Sequence, residues 1–524
     1  MGTYLNPGNS GYASVLKTKY IDKTGLIDVI NGTIGTGKNL TCISRPRRFG
    51  KSYAAQMLCA YYDRTVDSHE LFESPQKLTI TNSRSYSEHL NKYNVIYLDM
   101  ASIVGIVDDR EITSFITRNI TEELCAAYPG LKVGEVLYST LVNAVELAKT
   151  KFIMVIDEWD APIREQSACV DAYLNLLRSL FKNSGVTAKI FAAAYMTGIL
   201  PIKKQKGQSA VSDFDEHTML DPGAFAEYVG FTEEDVQGLC EEYNVDFSEM
   251  KRWYDGYELA GVGSVYNPNS VMKAAQKKRF NSYWAQSSAA DNLLDFIKWD
   301  VADLRKAIIE LMGGVEIEID TAGYDNDLYY DTRDGALTMF VHLGYLSYNQ
   351  DTSTVHIPNE EIRLEFARTL RKATNVETMK RVQESDQLIM DTIHGNEEAV
   401  AAQVKKVHLE SSSIMNRNGE SSLRAAIQVA YFAYKDYYVK FEEVGTGEGY
   451  ADIVYIPKQG KGVPILLVEL KWKKDAETAI QQIKTKGYAE GLEDYGSEML
   501  LVGISYDVDE KDYECKIEKW TKKN

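Results

Sequence analysis

Two segments near the start of the chain have the glycine and lysine spacing of a phosphate-binding loop: GTIGTGKN at 32–39 and RPRRFGKS at 45–52. Such a loop must follow a strand and open a helix, because its backbone N–H groups and the helix dipole both have to point at the phosphates. RPRRFGKS lies between the apolar run LTCIS and the helical pattern YAAQMLCAYY, whereas GTIGTGKN precedes LTCIS. We therefore predict a phosphate loop at 45–52 and a turn at 32–39.

The side chains of RPRRFGKS define what this loop would do. Lys51 is placed for the β- and γ-phosphates of ATP, and Ser52 is placed for the accompanying Mg²⁺ ion. Arg45 stands where the first glycine of the usual pattern belongs, and it lacks the backbone freedom of glycine. A basic strand-to-helix turn that binds no ATP is the alternative interpretation.

An acidic pair, Asp157 and Glu158, ends the apolar segment FIMVIDE about a hundred residues later. The first carboxylate would hold Mg²⁺ through water, and the second would orient or deprotonate the attacking water. Thr197 ends the segment AAAYMTG and is predicted either to sense the γ-phosphate or to serve as a turn residue. Arg164 is predicted either to reach the nucleotide of a neighbouring subunit or to form a surface salt bridge.

A second candidate site lies near the C-terminus, where Asp452 opens ADIVYI and the next strand ends in VELK. Glu469 and Lys471 are two residues apart, so they share one face of that strand. Asp452 and Glu469 can share Mg²⁺ or Mn²⁺, while Lys471 orients or activates the attacking water. Glu420 could complete the metal cluster, and Gln482 could steady it. A solvated charge pair on an edge strand is the alternative, although burial beside PILLV would be costly without a partner or a metal.

The elements that must position these residues indicate an α/β multidomain protein. Strands alternate with helices in the first half, which predicts a parallel sheet. We predict a P-loop ATPase core at 1–218, a helical lid at 219–300, a winged-helix-like unit at 301–372, a helical connector at 373–412 and a separate α/β domain at 413–524.

Composition narrows the functional classes. The chain has 524 residues, 44% of them hydrophobic, and a net charge of −18, although residues 1–64 hold nine basic residues against three acidic ones. The six cysteines lack CxxC spacing, which argues against zinc fingers and a disulfide framework. No stretch approaches the roughly 18 uncharged apolar residues of a membrane helix, and the start lacks the apolar run of a signal peptide. We expect a cytoplasmic protein without a membrane partner.

With these residues in hand, the chain resembles a group of bacterial proteins that join an AAA-ATPase-like domain to a C-terminal PD-(D/E)XK nuclease domain. The resemblance rests on YIDKTGLI, RPRRFGKS, VIYLDM, IDEWDAPI, MTGIL, GFTEEDV, WYDGYEL, VYNPNSV, GYLSY, IPNEE, GYADIVYIP, VELKW and QQIKTKGY. It implies a restriction-endonuclease-like fold for the last domain, with a nuclease site at Asp452, Glu469 and Lys471 and support from Gln482.

The resemblance also implies nucleotide binding by the loop, to which we assign Arg47, Arg48, Phe49, Gly50, Lys51 and Ser52, with Asp157 and Glu158 as the acidic pair. The chain departs from the family pattern at two positions. Trp159 replaces a tyrosine, and Tyr450 replaces the arginine of the commoner GRADIV, which removes a positive charge near the metal site. Members of the family that the chain resembles commonly have an arginine at the position of Arg45.

Two functions of different classes follow. The first is an ATP-regulated nuclease, in which nucleotide occupancy or assembly of a homo-oligomer controls the access of DNA or RNA to the metal site. The second is a nucleotide-dependent switch or scaffold, in which an inactive nuclease fold binds a partner. The acidic net charge favours the second, because nucleases usually have a basic groove. The set of Asp452, Glu469 and Lys471 favours the first.

Overall fold

The computed structural model describes residues 2–74, 77–165, 169–182, 184–202, 204–205, 208–209, 211–284, 304–321, 332–372, 376–411, 420–446, 449–458, 461–496, 498–507 and 512–520. The chain divides into two compact units. The first comprises Met1–Tyr283 and Glu318–Glu361, and the second comprises Trp284–Ile317 and Ile362–Asn524. The finer division into five domains stays a prediction.

Helices occur throughout both units. In chain order, those of the described residues are α1 (Ser10–Leu16), α2 (Gly25–Asn31), α3 (Lys51–Tyr62), α4 (His69–Glu73), α5 (Tyr86–His89), α6 (Met100–Ile106), α7 (Ile112–Ala127), α8 (Leu137–Ala148), α9 (Ala161–Arg164), α10 (Val170–Phe181), α11 (Ser184–Ile190), α12 (Glu233–Tyr243), α13 (Phe247–Tyr254), α14 (Pro268–Lys277), α15 (Leu304–Gly313), α16 (Arg333–Leu343), α17 (Glu360–Lys372), α18 (Val376–Ile393), α19 (Glu397–Ser411), α20 (Glu420–Ala430) and α21 (Ala476–Lys486).

The strands of the described residues form the sheets of both units. They are β1 (Leu40–Ser44), β2 (Asn94–Asp99), β3 (Phe152–Asp157), β4 (Phe191–Gly198), β5 (Lys204–Gln205), β6 (Gln208–Ser209), β7 (Asp215–His217), β8 (Phe231–Thr232), β9 (Tyr257–Leu259), β10 (Gly263–Tyr266), β11 (Ile317–Glu318), β12 (Ser347–Asn349), β13 (Thr354–His356), β14 (Tyr438–Thr446), β15 (Gly449–Pro457), β16 (Ile465–Trp472), β17 (Met499–Asp507) and β18 (Asp512–Trp520).

A five-stranded sheet organises the first unit, with all neighbours parallel in the order β2-β3-β4-β1-β7. Every residue of β1, β3 and β4 is buried, as expected for parallel strands that are covered by helices on both faces. The carboxyl ends of parallel strands lie at one edge of the sheet, where such folds collect their polar groups. The predicted parallel-sheet core is therefore confirmed.

The segment predicted as a helical lid contains α12, α13 and α14, and it also contains a three-stranded antiparallel sheet in the order β8-β10-β9. Thr232 begins α12 with a capping box, in which its hydroxyl accepts from the Asp235 N–H and the Asp235 carboxylate accepts from the Thr232 N–H. Within the segment predicted as a winged-helix-like unit, β12 pairs antiparallel with β13 to form a hairpin.

A mixed five-stranded sheet organises the second unit in the order β14-β15-β16-β17-β18, with β16 and β17 parallel and the other neighbours antiparallel. The apolar residues of α18, α19 and α20 pack in one core cluster with β15, β16 and β17. Those of α21 pack in another cluster with the same three strands. The predicted α/β architecture of the C-terminal domain is confirmed, and the helices of the predicted connector share its core. Among the described residues, no helix combines the length and the apolar character that crossing a membrane requires.

Gly503 on β17 marks a point of close approach between α21 and the sheet, because a Cβ atom there would lie 2.4 Å from the carbonyl oxygen of Ala476. We expect Gly503→Ala to destabilise the second unit by about 1–3 kcal/mol through overpacking. Hydrogen exchange of the β17 amides measures this effect. Gly238→Ala on α12 is the control, because the described residues leave open space at that position and alanine favours a helix. Unchanged exchange in Gly503→Ala would show that the helix shifts without cost.

Candidate nucleotide and metal sites

The segment 45–50 leaves β1 and enters α3 at Lys51, as a phosphate loop must. Gly50 has a φ of 92°, a left-handed conformation that glycine adopts without strain. No atom of the described residues lies within 4 Å of the place where a Cβ of Gly50 would stand, so the loop leaves open space beside the start of the helix. The competing segment at 32–39 is a turn between α2 and β1, and its Lys38 is exposed.

Lys51 is buried within this loop. Its Nζ donates hydrogen bonds to the carbonyl oxygens of Arg45 and Pro46 at 2.9 and 2.8 Å. Burial lowers the pKa of Lys51 to about 8, although the nearby carboxylates of Glu158 and Asp157 oppose this shift. Two neutral carbonyls thus hold a buried ammonium group, and phosphate oxygens would be stronger acceptors for it.

The side chains of Ser52, Asp157 and Thr197 converge beside Lys51. The Thr197 hydroxyl donates to Asp157, and Ser52 also hydrogen-bonds to this carboxylate. Burial raises the pKa of Asp157, and both hydrogen bonds partly oppose the rise. The structure therefore brings together the two predicted Mg²⁺ residues, and it bonds Thr197 to one of them.

Glu158 follows Asp157 in a left-handed conformation, with φ of 51°. Its Oε2 accepts a hydrogen bond of 2.6 Å from Nη2 of Arg164, and Nε of the same arginine lies 3.0 Å from Oδ2 of Asp160 in an ion pair. Asp160 is fully buried and also accepts from the N–H groups that follow β4. Arg164 therefore forms salt bridges within one chain, and they are largely buried rather than at the surface, because its side chain is 12% exposed and that of Asp160 is 0% exposed.

Arg45 is fully buried at the position of the missing glycine. Its Nη1 donates to the carbonyl oxygens of Ser44, His217 and Thr218, so it ties the loop to the end of β7. Burial lowers the pKa of Arg45 to about 10, and its Nε and Nη2 have no hydrogen-bond partner among the described residues. Sequence patterns cannot reveal this role, because two of the acceptors are backbone atoms far along the chain.

Residues of the predicted lid hold the remainder of the loop. Phe49 is buried, and its ring centroid lies 5.4 Å from that of Tyr257. Nη1 of Arg48 donates to the carbonyl oxygen of Tyr283, and the carbonyl oxygen of Arg47 accepts from the asparagine that precedes α14. The loop conformation therefore depends on packing as well as on its own sequence.

In the second unit, the candidate metal site begins where β15 and β16 separate. Their paired register ends at Ile453 and Val468. Beyond this point the Leu470 N–H donates to Oδ2 of Asp452 at 2.9 Å, so a carboxylate replaces the partner strand. Asp452 is thereby fixed on the backbone of the strand that carries Glu469 and Lys471.

Glu469 is the central residue of this site and is 2% exposed. Its Oε1 accepts hydrogen bonds from Nζ of Lys471, at 3.0 Å, and from Nε2 of Gln482. Its Oε2 is buried and has no hydrogen-bond partner in the part of the chain that the structure describes. Burial, followed by the charge of Asp452, raises the pKa of Glu469. The structure thus brings together four of the residues that the sequence predicted for this site.

The buried Oε2 of Glu469 tests whether these residues fit a metal ion. A charged oxygen without a partner is costly in the interior, and a divalent cation would satisfy it. The described residues contain no group of three or more His, Cys, Asp or Glu side chains around one point. Helix α20 begins at Glu420, but the side chain of this predicted third ligand lies outside the described part. The carboxylates of Asp452 and Glu469 fit a hard divalent ion.

Sequence reasoning missed Arg424 on α20, whose Nη2 forms an ion pair with Oδ1 of Asp452. A signal was present in the sequence. Glu420 and Arg424 are four residues apart in a helix, so they share one face.

Comparison with known families agrees with this geometry. Residues 14–206 match the model of a predicted AAA-ATPase, and residues 419–518 match that of the PD-(D/E)XK nuclease superfamily. The chain joins an AAA-ATPase-like domain to a C-terminal PD-(D/E)XK nuclease domain. The phosphate loop and the acidic pair fall within the AAA-ATPase-like domain. All the candidate metal-site residues fall within the PD-(D/E)XK domain.

Individual relatives are more distant. An Azotobacter chroococcum mcd 1 protein, described as an uncharacterized protein in the vnfD 5′ region, is 24% identical over 292 residues. The match covers 53% of this chain and 52% of that protein, so this chain spans about half of its length. The Walker-type ATPase PABY2304 of Pyrococcus abyssi is 13% identical, with a TM-score of 0.32 over 66% of this chain and 94% of that one. The Aeropyrum pernix ORC1 protein in complex with DNA is 12% identical, with a TM-score of 0.25 over 69% and 95%.

The buried Lys51 predicts a pH dependence of ATP binding. A bound phosphate stabilises the ammonium form, so binding above pH 8 requires uptake of a proton and weakens as the pH rises toward 10.5. We expect Lys51→Ala to weaken ATP binding roughly ten- to hundredfold and to remove this pH dependence. Calorimetric titration with ATP between pH 7 and pH 10 measures both effects. Lys38→Ala is the matched control and should match wild type; an effect there equal to that of Lys51→Ala would contradict the loop assignment.

The unsatisfied Glu469 predicts that a metal stabilises the PD-(D/E)XK domain. The pKa of Glu469 is higher in the folded protein than in the unfolded chain. The contribution of Glu469 to stability is therefore complete below pH 4.5 and is lost as the pH rises through its pKa in the folded protein. At neutral pH, we expect Mn²⁺ or Mg²⁺ to raise the melting temperature of wild type. Glu469→Gln should melt no lower than wild type without metal and should lose the metal-dependent increase. Thermal unfolding in a chelating buffer, with and without added metal, checks this; an equal increase in both proteins would exclude Glu469 as a ligand.

Proposed function

We propose that the protein is an ATP-regulated, metal-dependent nuclease that cleaves phosphodiester bonds of DNA or RNA in the cytoplasm. The observation that carries this proposal is the buried Oε2 of Glu469, which has no partner among the described residues and belongs to the side chain that Lys471 and Gln482 hold. A purely structural role for such a carboxylate would leave its desolvation uncompensated, at a cost of about 1–3 kcal/mol.

Each residue of the site has a role in this chemistry. Asp452 and Glu469 would hold Mg²⁺ or Mn²⁺, and Glu420 at the start of α20 is a third candidate ligand. When bound, the metal supplies Lewis-acid stabilisation of charge on the phosphate. Lys471 would orient the attacking water, and its ion pair with Glu469 opposes the rise in the pKa of that carboxylate. Gln482 holds Glu469 in place from α21.

The AAA-ATPase-like domain would supply control. Lys51 would bind the β- and γ-phosphates of ATP, Ser52 and Asp157 would hold Mg²⁺, and Glu158 would act on the attacking water. Arg47, Arg48 and Gly50 would contribute to the phosphate loop, with Phe49 as its buried anchor. Nucleotide occupancy would then bias the access of nucleic acid to the metal site, directly or through assembly of a homo-oligomer.

A nucleotide-dependent switch with an inactive nuclease fold is the second candidate. It is favoured by the net charge of −18, because binding to phosphate backbones depends largely on clustered Lys and Arg. The two candidates share the ATP site and differ only in whether the PD-(D/E)XK site cleaves.

Cleavage assays separate them. The purified protein is incubated with single- and double-stranded DNA and RNA, with Mg²⁺ or Mn²⁺, and with or without ATP. We expect metal-dependent cleavage, and we expect Lys471→Ala to reduce it at least about a hundredfold, because the variant loses water positioning and charge stabilisation. ATP should change the wild-type rate, and Lys51→Ala should abolish this response.

Matched controls come from the same domains. Lys519→Ala changes an exposed lysine on β18 that pairs with Glu498, and it should cleave as wild type does. Lys38→Ala should keep the response to ATP. ATP turnover without cleavage of any nucleic acid would support the switch instead, and cleavage unchanged in Lys471→Ala would exclude the proposed site.

A further inference from the structure

We propose that Arg424 binds the substrate phosphate at the PD-(D/E)XK site and is held against Asp452 until a metal ion occupies that carboxylate. This assignment rests on the proposed nuclease function and names the residue that meets the substrate.

The two oxygens of Asp452 have different partners. Oδ2 accepts from the backbone N–H of Leu470, while Oδ1 is paired with Nη2 of Arg424. The backbone bond fixes the orientation of the carboxylate and leaves Oδ1 as the oxygen that faces another side chain. A metal ion at Asp452 would meet a carboxylate whose Oδ1 is already paired with Arg424, so the cation and the guanidinium group would compete for the same negative charge.

Electrostatics decides this competition. With a divalent cation held by Asp452 and Glu469, the guanidinium group of Arg424 would face a like charge, which would weaken its ion pair with Oδ1. The released group stays near the metal, because buried Leu423 and Ile427 fix α20 on the sheet. Only the side chain of Arg424, which is 25% exposed, has to move.

The chemistry of a guanidinium group suits the task. Its planar set of N–H donors binds two oxygens of a phosphate at once, whereas a lysine ammonium acts as a point charge. Lys471 is already engaged by Glu469, and Lys473 lies exposed beyond the strand. Tyr450 precedes Asp452 by two residues on β15 and is 70% exposed, so the strand itself presents no charge at that position.

The assignment predicts opposite effects on metal and on substrate. Arg424→Ala should bind Mn²⁺ as tightly as wild type or up to about tenfold more tightly, because the competitor for Oδ1 is gone. It should bind nucleic acid roughly ten- to hundredfold more weakly, and the slope of log affinity against log salt should fall by about one. Arg424→Lys should keep the salt slope with intermediate affinity.

The measurements use the full chain. Mn²⁺ binding is measured by calorimetry without nucleic acid. Affinity for the form of nucleic acid that wild type cleaves is measured by fluorescence anisotropy in Ca²⁺ over a range of salt concentrations. Thermal unfolding shows whether Arg424→Ala is folded, and Arg424→Lys gives the same comparison with the ion pair retained. In a second variant, Tyr450→Arg is added to Arg424→Ala, and it should restore the salt slope by returning a guanidinium group to the neighbouring strand.

Two outcomes would overturn the assignment. One is unchanged nucleic-acid affinity and salt slope in Arg424→Ala. The other is loss of Mn²⁺ binding equal to that of Asp452→Ala, which would make Arg424 a support for the metal ligand only. Failure of the proposed function looks different: wild type would bind no Mn²⁺ and cleave nothing, and the role of Arg424 would be lost with it.

Discussion

Lys51 and Glu469 are buried charged side chains, one at the start of α3 and the other on β16. The described residues do not supply all the polar contacts that these two charges could make. Lys51 has two carbonyl acceptors and a pKa lowered to about 8 by burial. Glu469 has a raised pKa and one oxygen without any partner in the described part of the chain. In both places desolvation penalises the charged form of the side chain. A ligand of opposite charge would offset this penalty and would thereby stabilise the folded protein on binding. An anion is favoured at the first position and a cation at the second.

Backbone N–H groups fix the carboxylates that lie near these two charges. Asp160, near Lys51, accepts from two N–H groups after β4, and Asp452, near Glu469, accepts from the N–H of Leu470 on β16. Such bonds have little freedom, because the donor residues are buried. The order of the parallel sheet adds a second restraint, since β4 lies between β1 and β3 and places Thr197 against Asp157. Local sequence supplies the charged groups, and the sheets determine which of them meet.

The sequence predicted the buried strands because their apolar runs are long, as in FIMVID of β3 and ILLVEL of β16. It also predicted that Ser52 and Asp157 serve one Mg²⁺ ion, and the structure joins these two side chains by a hydrogen bond. Two edge strands were missed. The residues of β7 are DEH, which have no strand pattern, and in DYECKIEKW of β18 an apolar residue alternates with charged ones for only part of the length. The bonds from Arg45 to the carbonyl oxygens of His217 and Thr218 could not be predicted, because these acceptors are backbone atoms on a distant segment. Arg424 was missed although its helical spacing from Glu420 was visible in the sequence.

The net charge of −18 affects how the candidate metal site, with its cations Lys471 and Arg424, could attract a nucleic acid. A protein with few phosphate contacts releases few counterions on binding, so its affinity for nucleic acid depends little on salt. In the proposed nuclease most of the attraction would come from the candidate metal site, where a bound metal would add two positive charges beside Lys471 and Arg424. Substrate binding would then require the metal, because without it Asp452 and Glu469 repel a phosphate and hold both cations in ion pairs. In the proposed nuclease, metal occupancy would change the summed charge of these two ion pairs from zero to positive, so the site would attract a phosphodiester when it holds the metal.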